Sequence, residues 1–162
     1  MILNKIVHRR QELPTSCGAA SVAMLFGEKE ETIRVDLKTN SRGTHVYEIS
    51  NFLKTKGFIH SWIKINKNYF DCIDDLIKTS LQFPLILCGE YRSHYNICGR
   101  DRIRNHAILI ADGKVYDPGE NREMSGEGYV QTFNKKLVFN DLIIIEKERP
   151  NFLTNFKKYS DC

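Results

Sequence analysis

Four side chains in this sequence have the types and placement needed to cleave an amide: Gln11, Cys17, His106 and Asp117. Cys17 follows Glu12-Leu13-Pro14-Thr15-Ser16, a loop-like stretch, and opens the small, apolar run Gly18-Ala19-Ala20-Ser21-Val22-Ala23-Met24-Leu25-Phe26. A thiol in the first turn of a helix meets backbone N–H groups without partners and the positive end of the helix dipole. Both favour thiolate over thiol, the form that attacks carbonyl carbon. The small residues behind the thiol leave room for a substrate backbone. Gln11 stands six residues before Cys17. Its amide, folded back beside the thiol, would join the Cys17 N–H as a second donor to a tetrahedral oxyanion.

His106 heads the apolar run Ala107-Ile108-Leu109-Ile110-Ala111. A strand there gives an imidazole a rigid base from which to take the thiol proton and later deliver it to a leaving amine. Asp112-Gly113 is a two-residue hairpin signal. Counting outward from that turn, Ala111 faces Lys114 and Ile108 faces Asp117. His106 is two residues further on the same face, within diagonal reach. A carboxylate there fixes the imidazole tautomer and stabilises the imidazolium.

Each of these residues has a plainer reading: Cys17 as a small buried residue, His106 as a strand-end histidine, Asp117 as a turn residue before Pro118, Gln11 as an exposed side chain. His94, in His94-Tyr95-Asn96-Ile97, competes with His106, and Asn105 or Asp112 with Asp117. His8, His45 and His60 read as surface or structural. Cys88, His94 and Cys98 fit no common zinc spacing, so no metal is expected. No glycine-rich phosphate loop is present, and no cofactor is implied. Arg92, Arg100, Arg102 and Arg104 read as a solvated loop or as readers of acidic substrate side chains.

Gln, five residues, then Cys-Gly-x-Ala at a helix start resembles the papain-like cysteine peptidases, most of all the bacteriocin-processing branch that trims double-glycine leader peptides. His106 in Asn105-His106-Ala107-Ile108-Leu109-Ile110 and Asp117 before Pro118 match that branch's histidine and Asp-Pro. The stretch 43–58, ending in Gly57-Phe58, resembles its second helix. The resemblance covers roughly residues 8–120. It implies a Cys17–His106–Asp117 triad, Gln11 at the oxyanion and cleavage after small residues such as Gly-Gly. In that branch the peptidase is normally fused to a membrane transporter. No apolar run here approaches membrane-spanning length, so the expectation is a free-standing cytoplasmic protease.

The elements must deliver these residues to one place. At 162 residues the chain has the length of one domain with a real core, taken as 1–162. The net charge of +4 is mild and marks no nucleic-acid or membrane role. Cysteines 17, 72, 88, 98 and 162 are odd in number and widely spaced, and the N-terminus lacks a secretion signal, so reduced thiols are expected. Residues 1–8 read as extended. Helices are expected over 17–26, capped by Thr15 or Ser16 and stopped by Gly27, over 28–39, over 44–57 with Thr44 as cap, and over 68–81. Strands are expected over 58–65, 84–88, 107–111, 114–117, 129–133 and 142–146, with a polar, basic stretch at 89–105, a flexible loop at 119–128 and a short helix in the tail after 150. Helices first and hairpin-linked strands after them make an α+β fold. A papain-like N-terminal helical layer carries the nucleophile and packs on a mainly antiparallel sheet, with a cleft between the layers lined by 40–45, 89–104 and 119–128.

The function that follows is thiol hydrolysis of a peptide or isopeptide bond through an acyl-enzyme, with a peptide or protein as substrate. The same triad could pass the acyl group to an amine, as transglutaminase-like enzymes do. A catalytically silent peptide-binding domain is the third reading. Oligomeric state is left open.

Overall fold

The structure, a computed structural model, describes residues 6–65, 73–93, 102–120, 122–133 and 137–146. Helix α1 spans Cys17–Phe26 and ends at Gly27, whose φ of 69° is the left-handed conformation that stops a helix. Helix α2 spans Glu30–Asp36 and α3 spans Val46–Thr55. The residue before α3 is His45, one place after the expected Thr44. The His45 N–H donates to the Glu48 carboxylate at 2.7 Å, while Thr44 is engaged with the Thr39 hydroxyl. Ser16 does not cap α1 either. Its hydroxyl accepts from the Leu13 N–H and donates to the Leu13 carbonyl, locking the turn that leads into Cys17.

Five strands form one sheet in the order β1-β5-β2-β3-β4, with every described pairing antiparallel. They are β1 (Ile59–Lys64), β2 (Leu85–Ser93), β3 (Arg102–Ala111), β4 (Lys114–Tyr116) and β5 (Leu137–Glu146). Helix α4 (Ile73–Ser80) precedes β2, and α5 (Gly126–Phe133) lies between β4 and β5. The β3–β4 turn has positive φ at both Asp112 and Gly113, and Ala111 pairs with Lys114 as counted from the sequence.

Three further expectations need correction. Residues 129–133 belong to a helix, not a strand. Ser125 accepts from the Gly128 N–H, Gln131 donates to Glu127 one turn back, and Thr132 donates to the Gly128 carbonyl, so local bonds all follow helical spacing. The stretch 119–128 is not wholly loop: Met124 bridges Val115, and α5 starts at Gly126. The strands at 84–88, 107–111 and 142–146 are also longer than the apolar runs that announced them. β2 and β3 continue into the basic stretch as a hairpin arm, with Ser93 paired to Arg102. The leading segment 1–5, the first part of the helix expected from 68, residues 94–101 and the tail lie outside the described residues.

Both faces of the sheet are covered. α1, α2 and α3 pack against Ile86, Leu109, Ala111, Ile143 and Ile145. On the other face α4 and α5 pack against Leu85, Leu87, Ile108, Ile110, Leu142 and Ile144. Strands buried on both sides lose polar–apolar alternation and read as continuous apolar runs, which is how the middle of this sheet reads. At Cys88–Gly89 the β2–β5 register shifts by a bulge. A β-carbon on Gly89 would lie 2.1 Å from the Val138 carbonyl, so only glycine lets β5 approach there.

Candidate active site

Helix α1 sits on the face of β3, with Ser21 donating to the Ala107 carbonyl at 3.3 Å. That contact sets Cys17 one turn earlier, over the start of the apolar part of β3. Its sulfur lies 3.8 Å from the Asn105 carbonyl. Gly18, Ala19 and Ala20 are small for packing reasons: a β-carbon on Gly18 would fall 2.9 Å from Thr44, and Ala19 and Ala20 have no exposed surface. The space they leave is filled by the protein itself, not kept for substrate.

His106 and Asp117 come together as the hairpin count requires. β4 stops at Tyr116, so β3 has no β4 partner at His106, and the ring reaches past the strand end to the carboxylate. His106 Nε2 donates to Asp117 Oδ1 at 2.9 Å. The same ring is hydrogen-bonded to Cys17; with Nε2 taken, Nδ1 is the nitrogen left for sulfur. Burial alone would push His106 down. The hydrogen bonds to Asp117 and to Cys17, and the charges of both, outweigh it and raise His106 from 6.5 to about 10. Asp117 moves the other way: burial opposes its charge, but His106, the Gly119 N–H and Tyr129 hold it below its ordinary range.

Asp117 is 1 % exposed, and both oxygens of its carboxylate have donors. Oδ1 also accepts from the Gly119 N–H at 2.7 Å, and Oδ2 accepts from the Tyr129 hydroxyl at 2.8 Å. Sequence reasoning missed Tyr129, because its stretch reads as strand and only the helix α5 turns the hydroxyl inward. Tyr129→Phe would leave a buried carboxylate oxygen without a donor. We expect it to destabilise the fold by about 1–3 kcal/mol, read as a lower midpoint in denaturant with an unchanged slope.

The other candidates are placed as follows. Asp112 sits at the tip of the β3–β4 hairpin, its N–H on the Ser80 carbonyl, away from His106. Asn105 lines the cleft, but the ring's carboxylate partner is Asp117. His94 and Cys98 lie outside the described residues; Cys17 and Cys88 are free thiols. Gln11 is anchored by its backbone, whose N–H donates to the Pro118 carbonyl at 2.9 Å, next to Asp117. Its side-chain amide donates to the Leu13 carbonyl at 2.8 Å, and Gln11 is not among the residues that line the cleft. His8, taken as surface or structural, donates from Nε2 to the Asp117 carbonyl at 2.9 Å.

A cleft of about 540 Å³ opens at Cys17 and His106. One wall is Pro14, Thr15 and residues 42–46; the other is Cys88, Gly89, residues 105–107, Asn140 and Asp141. Burial, with the charges of Cys17 and Asp141, pushes the Cys88 thiol up and keeps it neutral. Of the two cysteines in the cleft, only Cys17 touches the imidazole.

The sequence matches the model of the Peptidase C39 family over residues 5–140. The chain belongs to that family. C39 members are cysteine peptidases, and this chain is one. Two solved structures share the fold of this C39 peptidase. One is the peptidase domain of Streptococcus ComA, a bi-functional ABC transporter involved in a quorum-sensing pathway. It has 20 % identity and a TM-score of 0.56, covering 88 % of this chain and 99 % of that one. The other is a double glycine motif protease from an AMS/PCAT transporter in complex with the leader peptide. It has 14 % identity and a TM-score of 0.53, covering 88 % of this chain and 92 % of that one. No curated protein matches. Among the described residues of this C39 peptidase, no helix is long and apolar enough to cross a membrane.

Proposed function

We propose that this chain, acting as one peptidase domain, hydrolyses peptide bonds after small residues, with Cys17 as nucleophile, His106 as its proton partner and Asp117 as the group that orients His106. The observation that carries this reading is the His106 ring, held between the Asp117 carboxylate and the Cys17 sulfur at the mouth of a cleft. The Cys17 thiolate attacks the carbonyl carbon, and the oxyanion that forms takes the Cys17 N–H and the Gln11 amide. Gln11 must first release Leu13, a hydrogen bond on the exposed side of the molecule that water replaces at little cost. The C–N bond breaks, the amine leaves with a proton from imidazolium, and an acyl-enzyme remains. Water then attacks, giving its proton to His106, and the product acid departs from the restored thiolate.

A substrate ending in Gly-Gly is supported by the structural relative that is a double glycine motif protease bound to its leader peptide. The test is mass-spectrometric mapping of a panel of peptides with internal Gly-Gly, incubated with wild type and Cys17→Ala. Wild type should release a free carboxylate after the second glycine and Cys17→Ala should release nothing. Cleavage that survives Cys17→Ala, or none by wild type across the panel, defeats the reading. An amide product with an added primary amine would make the enzyme an acyl transferase.

The pH profile gives a second check. His106 must be protonated to deliver the leaving-group proton, so kcat/KM should fall as pH rises through about 10. In Asp117→Asn the amide oxygen still accepts from His106 and Gly119, but the negative charge is gone, so the alkaline limb should move to lower pH. Stability follows with its own sign. The raised His106 contributes fully below 6.5 and loses its contribution by about 10. The lowered Asp117 contributes above 3.8 and loses its contribution as pH falls. The stability gap between wild type and Asp117→Asn should therefore be widest between those two values and shrink at alkaline pH. A gap that grows as pH rises from 6.5 to about 10 would contradict this account.

A further inference from the structure

One row of paired residues crosses the sheet beside the site. Ala107 on β3 pairs with Cys88 on β2, Cys88 with Asp141 on β5, and Asp141 with Lys64 on β1. Directly paired residues project from the same face of a sheet. Cys88 packs with the core on the α1 side, so this row forms the floor of the cleft on that side. Ala107, Cys88 and Asp141 all line it. The floor thus runs from the nucleophile to the outer strand and passes over a carboxylate.

Asp141 is 8 % exposed, and both of its protein donors fall on one oxygen. Oδ1 accepts from Trp62 Nε1 at 2.7 Å and from Lys64 Nζ at 2.8 Å. Oδ2 has no donor among the described residues. An ionised carboxylate accepts about four hydrogen bonds, so Asp141 keeps acceptor capacity for a further donor. The Lys64 ammonium also lies 5.5 Å from the centre of the Trp62 ring. A carboxylate and an indole face together make a site for a cation, and here the protein's own lysine occupies it. The Lys64 side chain is 69 % exposed, so it can swing into solvent and yield its place.

We propose that Asp141, with Trp62, is a specificity-determining subsite that takes a lysine or arginine side chain of the substrate. Adjacent strands lie about 4.8 Å apart, so Asp141 is two strand steps, roughly 10 Å, from β3, the strand that carries His106. An extended peptide covers that distance in about three residues. The basic side chain therefore belongs about three residues from the scissile bond. This inference rests on the Cys17-centred reading above and adds a substrate feature to it.

The test uses cleavable peptides carrying lysine or the neutral norleucine, one heavy atom shorter, at each position within four residues of the scissile bond. Cleavage is measured for wild type, Asp141→Asn and Lys64→Ala. Binding of the same pairs is measured by calorimetry in Cys17→Ala, with and without Asp141→Asn. Asparagine keeps an acceptor for Trp62 and Lys64 and removes only the charge. At one position wild type should prefer lysine by about tenfold, the scale of one charge-assisted hydrogen bond. Asp141→Asn should reduce that preference to about twofold or less, and Lys64→Ala, which removes the internal competitor, should increase it. No lysine preference at any position overturns the proposal. So does a preference that survives Asp141→Asn, or a loss shared equally by both peptides. If neither peptide is cleaved but Cys17→Ala binds the lysine peptide more tightly in an Asp141-dependent way, the subsite stands and the peptidase reading falls.

Discussion

His106→Ala should lower kcat/KM for a cleaved peptide by about 10⁴-fold or more, because members of a nucleophile–base pair act as a unit and losing either removes most of the chemistry. Three functions disappear with the ring: acceptance of the thiol proton, its delivery to the leaving amine, and the activation of water on the acyl-enzyme. The fold should tolerate the change, since His106 lies at the cleft mouth and not within either apolar core. Removing it does leave Asp117 with two donors in place of three, so thermal unfolding should be followed beside activity. A parallel readout is alkylation of Cys17 by iodoacetamide, with the modified residue assigned by peptide mapping. Wild type should label faster than His106→Ala, because the alanine cannot take the thiol proton. Full activity in His106→Ala would remove it from the mechanism and turn attention to His94.

Gln11→Ala should lower kcat by about 10²–10³-fold with KM little changed, the signature of a donor that acts on the transition state and not on bound substrate. The side chain is engaged with the Leu13 carbonyl before substrate arrives. Its truncation therefore removes little from the resting protein, and unfolding measurements should barely register it. A loss confined to KM would mean that Gln11 only contacts the ground state. No loss at all would leave the Cys17 N–H as the main donor, and Gln11 as the exposed loop residue of its plainer reading.

The sequence discloses this site unevenly, for physical reasons. Cys17 and α1 were legible because a thiol, small residues and a stopping glycine stand next to one another in the chain. The contact between His106 and Asp117 was legible because a two-residue turn fixes the register of everything that follows. Tyr129 was not: a β-branched and aromatic stretch has strand propensity, and here local capping and tertiary packing on α4 override it. The second helical layer was hidden for a similar reason. Apolar runs such as 142–145 say that both faces of a strand are buried without saying what covers them. Asp141 was hidden as well, since its meaning depends on a register across β1, β5 and β2 that no local pattern encodes.

The bond between Gln11 and Pro118 has a consequence for how this enzyme comes into being. With His8 on Asp117, it closes the chain on itself over more than a hundred residues. Closing so long a loop is slow, because ordering entropy must be overcome before the distant contacts reward it. On the proposed mechanism a nascent chain carries Cys17 from the start but has no carboxylate for His106 until residue 117 has emerged. On that mechanism peptide cleavage cannot begin before most of the chain has been made.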